Sequence, residues 1–239
     1  MGAIALYEES LALTKQIGDV KGQAATLHQL GILKTDTGEI AKAIIFFEQS
    51  FTLLKQIHDV KGQAAALHQL GYLKANIGEI NKAIVFFEKS LVLKEQIEDI
   101  QGLGSTLHEM GRLKANRGEI NEAIALYQQS LALTEQIGDV QTKAATLHCL
   151  GILKANSGEI EEAIALYQQS LALTEQIGDV QGKAMTLWCL GHIAEQQGNY
   201  NQALDYLQPA LEILQRLQSP DAEGVRQMVA RVQDLIRSS

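Results

Sequence analysis

The sequence is poor in several residue types, and each shortage excludes a class of protein. Only two cysteines and two prolines occur in 239 residues. Two cysteines cannot form a disulfide framework, and a zinc ribbon needs more of them. No run approaches the ~18 consecutive apolar residues of a membrane span, and the N-terminus lacks the charged start and cleavage site of a signal peptide. The composition therefore predicts a soluble, reduced, cytoplasmic protein without a membrane partner.

Positive charge is also scarce. The chain has 20 Lys and Arg against 28 Asp and Glu, a net charge of −8. Because nucleic-acid binding relies on Lys and Arg to neutralise phosphates, this balance argues against a nucleic-acid partner. Residues 1–120 carry a net charge of −1 and residues 121–239 carry −7. A bound segment would be expected to place its basic end near the C-terminal half.

Glycine, with 20 occurrences, is abundant and recurs with a period of 40 residues. Leu30-Gly31 returns three times as Leu-Gly and once as Met110-Gly111. Aspartate repeats from Asp19, and a Gly-Glu-Ile motif repeats from Gly38 with the same spacing. The segment from 122 to 141 is identical to the segment from 162 to 181. Such agreement indicates recent duplication of one structural unit.

Each unit reads as two helices joined by short turns. The spacing of apolar residues predicts a first helix over 20–36 and a second from about 40 to 57. Asp19 is a candidate N-cap of the first helix. Gly38 is placed to end it, because glycine adopts the left-handed conformation easily. Helix pairs with such short connections stack on one another.

The unit resembles the tetratricopeptide repeat, whose pattern runs from Leu-Gly through a small residue to an aromatic one. Ala43, Phe47 and Ser50 fill the later positions of the first complete unit. The longer 40-residue form is similar to the repeats of kinesin light chain, of LGN/Pins scaffolds and of bacterial signalling arrays. The resemblance implies an all-α, right-handed α-α superhelix, a solenoid of about 12 helices. Three segments follow: a lone leading helix (1–18), five 40-residue helix pairs (19–218) and a C-terminal capping helix (219–239).

The resemblance also implies where a partner binds. First-helix positions 5, 9 and 13 usually face the concave groove, and there a peptide would be buried along a ladder of side chains. Thirteen residues of this chain occupy those positions and form the predicted peptide-binding site: His28, Ile32, His68, Tyr72, Asn76, His108, Arg112, Asn116, His148, Ile152, Asn156, Trp188 and His192.

The histidine column and a lysine column allow other interpretations. Four histidines in register could suggest a metal site, but neighbouring units stand about one helix diameter, ~10 Å, apart, so the rings cannot converge on one ion. No metal or cofactor is predicted. The lysine column runs from Lys34 to Lys154 near the ends of the first helices, where the positive charges interact favourably with the helix C-termini. Contact with an anionic partner is the alternative interpretation. No catalytic or nucleotide-binding motif occurs, so no enzyme activity is predicted.

The sequence therefore predicts a protein- or peptide-binding scaffold or adaptor, with a role in signalling. Two alternatives remain open. The chain could be a regulatory or sensor segment of a larger signalling or effector protein, since it opens within a second helix. It could also self-assemble into homo-oligomers through its N-terminal helix, which would expose Leu6, Leu11 and Leu13.

Overall fold

The structure, a computed structural model, describes residues 2–238. These residues form twelve α-helices and no strand, so the predicted all-α fold class and helix number are confirmed. The helices are α1 (Ala3–Gln16), α2 (Val20–Asp36), α3 (Ile40–Gln56), α4 (Val60–Asn76), α5 (Ile80–Gln96), α6 (Ile100–Asn116), α7 (Ile120–Ile137), α8 (Val140–Asn156), α9 (Ile160–Ile177), α10 (Val180–Gln196), α11 (Tyr200–Arg216) and α12 (Ala222–Ser238). None of the helices over residues 2–238 is long and apolar enough to cross a membrane.

The chain divides into two compact units. Unit 1 runs to Arg117 and holds α1–α6, and unit 2 runs from Gly118 and holds α7–α12. In both units each helix packs on the next, and consecutive first helices also contact each other, α4 with α6 and α8 with α10. First helices therefore line the inner face of each unit, and second helices lie on its outer face.

The helix starts confirm the predicted aspartate caps. The carboxylate of Asp19 accepts a hydrogen bond from the Gly22 amide at 2.9 Å, and Asp59, Asp99, Asp139 and Asp179 cap their helices in the same way. Each cap satisfies one of the amides that a helix start leaves without an intrahelical partner. The Gly38 column is left-handed as predicted, with φ of +74° at Gly38 itself.

Four helix pairs pack closely at a glycine notch, where a large side chain of the second helix lies against Gly31, Gly71, Gly151 or Gly191 of the first helix. The Tyr167 ring lies so close to Gly151 that a Cβ there would stand 2.7 Å from Tyr167 Cε1, and Phe47 approaches Gly31 equally closely. Ser170 at the second small position donates a hydrogen bond from its hydroxyl to the Ala144 carbonyl at 2.9 Å. The Leu-Gly, aromatic and serine columns of the sequence are thus one packing device, repeated along the chain.

The last helix packs through an apolar stripe. Val225, Val229 and Val232 are buried against the core of α10 and α11, with Met228 beside them. Arg231 adds a two-pronged ion pair to Glu195 of α10, at 2.6 and 2.8 Å. Helix α12 begins at Ala222, and Pro220 lies in the preceding turn.

Candidate peptide-binding groove

All thirteen predicted site residues lie on first helices, the helices of the inner faces. Eight belong to α2, α4 and α6 of unit 1, and five belong to α8 and α10 of unit 2. The two sets are arranged differently in the structure. The five residues of unit 2 surround one cavity, whereas those of unit 1 are distributed along three helices.

The cavity of unit 2 has a volume of about 510 Å³. Its walls include the five predicted residues His148, Ile152, Asn156, Trp188 and His192. No Asp, Glu, Lys or Arg is among the residues that line it. The cavity is thus apolar with a few amide and imidazole groups, the usual composition of a pocket that binds an uncharged or apolar group.

Several further lining residues were not among the predicted site residues. Met185 lies on α10, Met228 lies on α12 and Tyr167 lies on α9. Met185 occupies a position at which the other 40-residue repeats carry alanine or serine, so its larger side chain was a usable signal in the sequence. Met228 comes from the last helix, which has no counterpart in the repeat, and no periodic pattern could have placed it at the groove.

Cys189 and Tyr167 form a buried polar contact at the cavity wall. Burial raises the pKa of the Tyr167 hydroxyl, with a hydrogen bond to Cys189 contributing, and burial also raises the pKa of the Cys189 thiol. Neither cysteine forms a disulfide, and both are half-buried, as the sequence predicts. The thiol at this wall is therefore protonated near neutral pH and a weak nucleophile.

The histidine column is half-buried and packs on the aromatic column of the second helices. The rings of His28 and Phe47 stand 5.0 Å apart at 76°, and the His148 and Tyr167 rings 5.6 Å apart. Nδ1 of His68 lies 3.0 Å from Thr106 Oγ1 in the next repeat, and His148 makes the same contact with Thr186 at 3.1 Å. These rings join neighbouring repeats while presenting one edge to the groove.

Burial also determines the charge of these histidines. It lowers the pKa of His28 and of His108, and it lowers that of His68 to about 3, with the nearby Lys94 charge contributing. All three rings are therefore neutral at pH 7. They can offer a ligand one hydrogen-bonding nitrogen, but they cannot serve as cations for a carboxylate.

In unit 1 the predicted site residues lie in different surroundings. Ile32 and Tyr72 pack against the core around Phe47 and Leu70. Arg112 pairs with its neighbour Glu109 at 2.7 Å. His28 borders a smaller cavity of about 340 Å³ near the start of α2 and α4.

Three lysines of the column, Lys34, Lys74 and Lys154, form ion pairs within their repeats. Nζ of Lys34 lies 2.6 Å from Glu39, and Lys154 lies 2.7 Å from Glu159. The partner glutamate is the middle residue of the Gly-Glu-Ile motif, at the turn into the second helix. A charge-assisted bond to this side chain was not predicted. It explains why lysine and glutamate recur together.

Within residues 2–238, no cluster of three or more His, Cys, Asp or Glu side chains is placed to hold a metal ion. The histidines of the column are directed at aromatic rings and threonines in the contacts described above.

Comparison with known proteins agrees with this geometry. The family model described as tetratricopeptide repeat matches residues 2–56, 62–136, 102–176 and 142–216. No curated protein matches the chain.

Solved structures share the fold at low sequence identity. BtubC (BKLC) from P. vanneervenii aligns with a TM-score of 0.76 and 16% identity, over 90% of this chain and 91% of that one. Cut9–Hcn1 of the APC/C aligns at 0.73 and 22%, over 98% of this chain but only 40% of that one. TPR-like repeats of a kinesin light chain-like protein from Podosopora anserina align at 0.61 and 18%, over 82% and 96%. At these identities the likeness concerns the fold alone.

Proposed function

Because this chain belongs to the tetratricopeptide repeat family, whose repeats generally mediate protein–protein interactions, we propose that it is a peptide-binding scaffold or adaptor module. The bound element is a peptide segment that inserts one large apolar side chain, aromatic or long aliphatic, into the cavity of unit 2. The single observation that carries this proposal is the convergence of five predicted groove residues on one cavity of about 510 Å³.

The cavity wall supports an apolar anchor. Trp188 and Ile152 offer rigid apolar surface, and Met185 and Met228 offer flexible thioethers that adapt to different shapes. The volume falls within the ~300–1,000 Å³ of typical ligand pockets. Burial of one large side chain at the centre of an interface commonly supplies much of its affinity.

Polar groups at the cavity suit the peptide backbone. Asn156, His192 and Gln196 are exposed and line the same cavity. Their amides and ring nitrogens can both donate and accept hydrogen bonds, as a peptide backbone requires. Uncharged groups of this kind bind a chain segment without demanding a charged residue in it.

A random-peptide library selected against the full chain tests the proposal. Recovered peptides are expected to share a Trp, Phe, Leu or Met, and binding should change the emission of Trp188, the only tryptophan of the chain. Ile152→Asp, which introduces a charge at the cavity wall, is expected to weaken binding at least about tenfold by isothermal titration calorimetry.

Ile177→Asp provides the matched control, because Ile177 is similarly exposed (40% against 36% for Ile152) and lies at the end of α9, outside the cavity lining. It should leave affinity unchanged. Selected peptides that bind both variants as well as they bind the wild type, or that leave Trp188 emission unaltered, would contradict the proposal.

Two wider roles stay predictions. A regulatory or signalling segment of a larger protein would use the same cavity to sense its partner. Self-assembly through α1 is supported by the exposure of Leu6, Leu13 and Ile17, at 55, 54 and 74%. We also propose a reducing compartment such as the cytoplasm, since a chain with only two cysteines lacks the disulfide framework typical of secreted proteins.

A further inference from the structure

The outer faces of the two units differ at the same positions of the repeat. In unit 1 the outward positions of α3 and α5 hold Thr52 together with Ile45, Val85 and Val92, which are 51, 46 and 53% exposed, and the same positions of α1 hold Ala5 and Ala12. In unit 2 the equivalent positions, spaced by multiples of 40 residues, are all exposed and hold only alanine or an acid: Ala125, Ala132, Ala165, Ala172, Asp205 and Glu212. Large aliphatic side chains grouped in water on one half of a duplicated array mark a binding surface.

Unit 1 also has a cleft on this outer side. It has a volume of about 480 Å³ and lies where α1, α2 and α3 meet. The side chains of Leu27, Ile45 and Leu53 line it, with Lys15 and Glu48 also at its walls. The aliphatic surface is therefore a shaped depression and not merely scattered exposed residues.

The two outer faces differ in charge. Lys42 and Lys82 pair with Glu39 and Glu79 of their own turns, at 2.5 and 2.9 Å, but their side chains are 63 and 65% exposed. They occupy the register that Glu122 and Glu162 occupy in unit 2. Helices α1, α3 and α5 together expose five lysines and five glutamates, whereas α7, α9 and α11 expose seven acids and one arginine. The outer charge thus changes from 0 in unit 1 to −6 in unit 2.

We propose that the outer face of unit 1 binds the outer face of unit 2 of a second copy of this chain. The aliphatic side chains of unit 1 pack between the alanines of the second copy, and the lysines of unit 1 meet its glutamates. Alanine lets two helices approach closely, and the distance between packed helices depends on the side chains at the contact. Opposite charges at the contact steer such surfaces together and disfavour pairing of like faces.

This interface is separate from the peptide groove, which is built on first helices. It also differs from self-assembly through the exposed Leu6, Leu13 and Ile17, because α1 contributes only Lys15 to the cleft of the outer face. Failure of the peptide-binding proposal would leave it unaffected, and the converse also holds.

Sedimentation velocity of the full chain over a range of concentrations tests the proposal. The wild type is expected to associate, and added salt is expected to weaken the association by screening the charges. The variant Ile45→Ala/Val85→Ala/Val92→Ala should associate at least about tenfold more weakly. These alanines match the residues that unit 2 carries at the same register, so the fold should tolerate them. Ile137→Ala/Ile177→Ala, at helix ends of unit 2, is the control and should associate as the wild type does.

Charge exchange between two variants identifies the pairing. Lys42→Glu/Lys82→Glu and Glu122→Lys/Glu162→Lys should each associate less than the wild type. A mixture of the two should recover association, because the altered face of each can then meet a complementary face of the other. Each new residue already occurs at that register in the other half of the chain.

Three results would overturn the proposal. The wild type could remain a monomer at every concentration, the triple alanine variant could associate like the wild type, or the mixed charge variants could fail to recover association. A monomer that instead binds vesicles of anionic lipid through Ile45, Val85 and Val92 would assign this face to a membrane surface and reject the second copy as its partner.

Discussion

Lys94 occupies a core column that the other second helices fill with leucine or threonine: Thr14, Leu54, Thr134, Thr174 and Leu214. Its side chain is 5% exposed, and its ammonium donates to the Gly102 carbonyl at 3.0 Å and to Thr106 Oγ1 at 2.6 Å. Burial lowers the pKa of Lys94 to about 8, an effect that the charge of Asp99 partly opposes. One repeat of unit 1 thus contains a buried charge where its relatives have none.

Lys94→Thr is expected to stabilise the chain. An unfolded lysine has a pKa of about 10.4, so at pH 7 the ammonium is charged in both states and carries its full burial penalty. We expect the free energy of unfolding at pH 7 to rise by about 1 kcal/mol in denaturant titrations. Thr106 keeps a partner after the change, since its hydroxyl donates to the Gly102 carbonyl at 2.8 Å.

The pH dependence gives a second readout for the same variant. Between about pH 8 and 10.5 the folded wild type binds fewer protons than the unfolded chain, so its stability rises with pH. This contribution should be absent from Lys94→Thr and present in Lys89→Thr, a control at an exposed lysine of the same helix. A destabilised Lys94→Thr, or an unchanged pH profile, would contradict the assignment.

At the scale of elements, the turns after the second helices share one backbone conformation but do not all place glycine at the left-handed position. The first or second residue after the helix is left-handed in each described case. It is glycine at Gly18, Gly138 and Gly178, but it is His58, Glu98 and Gln218 in the other three turns, with φ of 53–54°. A side chain in this conformation costs roughly 1–2 kcal/mol, so these three turns are strained.

Glu98→Gly is therefore expected to raise the free energy of unfolding by about 0.5–1 kcal/mol, after allowing for the greater freedom of glycine in the unfolded chain. Thermal unfolding followed by circular dichroism measures the change. The reciprocal variant, Gly138→Ala, should lower stability by a similar amount. Equal melting temperatures for Glu98→Gly and wild type would show that the turn is not strained.

The helices themselves were the most predictable elements. The predicted bounds of α2 match the structure, and the second-helix bounds for α3 differ by one residue at the end. Five copies of one pattern reinforce each other, because a cap or notch that recurs every 40 residues cannot be a local accident. The start of α12 was less predictable, since this helix has no copy and Pro220 precedes it in a turn.

For the whole molecule, the candidate site was only partly predictable. The groove positions of unit 2 follow from the repeat register, and five of them do surround a cavity. The cavity also needs Met228 from α12 and the Tyr167 ring that fits against Gly151. Contacts between a repeat helix and the unrepeated α12 carry no periodic signal. The equivalent residues of unit 1 were therefore predicted equally strongly, although they are distributed along three helices and His28 borders a separate cavity of about 340 Å³.

The single tryptophan makes the two units distinguishable in solution. Trp188 lies in unit 2, whereas circular dichroism reports helices of both. Stability in a repeat array is a sum of local terms. Phe47→Ala removes a fully buried ring of unit 1. It should therefore lower the free energy of unfolding measured by circular dichroism by about 3–5 kcal/mol, and the free energy measured by Trp188 emission by less.

Tyr167→Ala is the counterpart in unit 2, where the ring is 2% exposed. This variant should directly lower the free energy of unfolding measured by Trp188 emission. If either variant changed the free energies measured by circular dichroism and by Trp188 emission equally, the chain would unfold as one cooperative body. That result would contradict the expectation that the two units unfold separately.

The glycine notch and the aspartate cap also have an evolutionary consequence. Residues 122–141 and 162–181 are identical, so joining Asp139 to Val180 by deletion would recreate a junction that the chain already contains. Every surviving helix of that shortened chain would meet the kind of neighbour it meets now. An array built this way can lose or gain whole repeats by recombination without inventing a new contact, so its length is free to follow the size of what it binds.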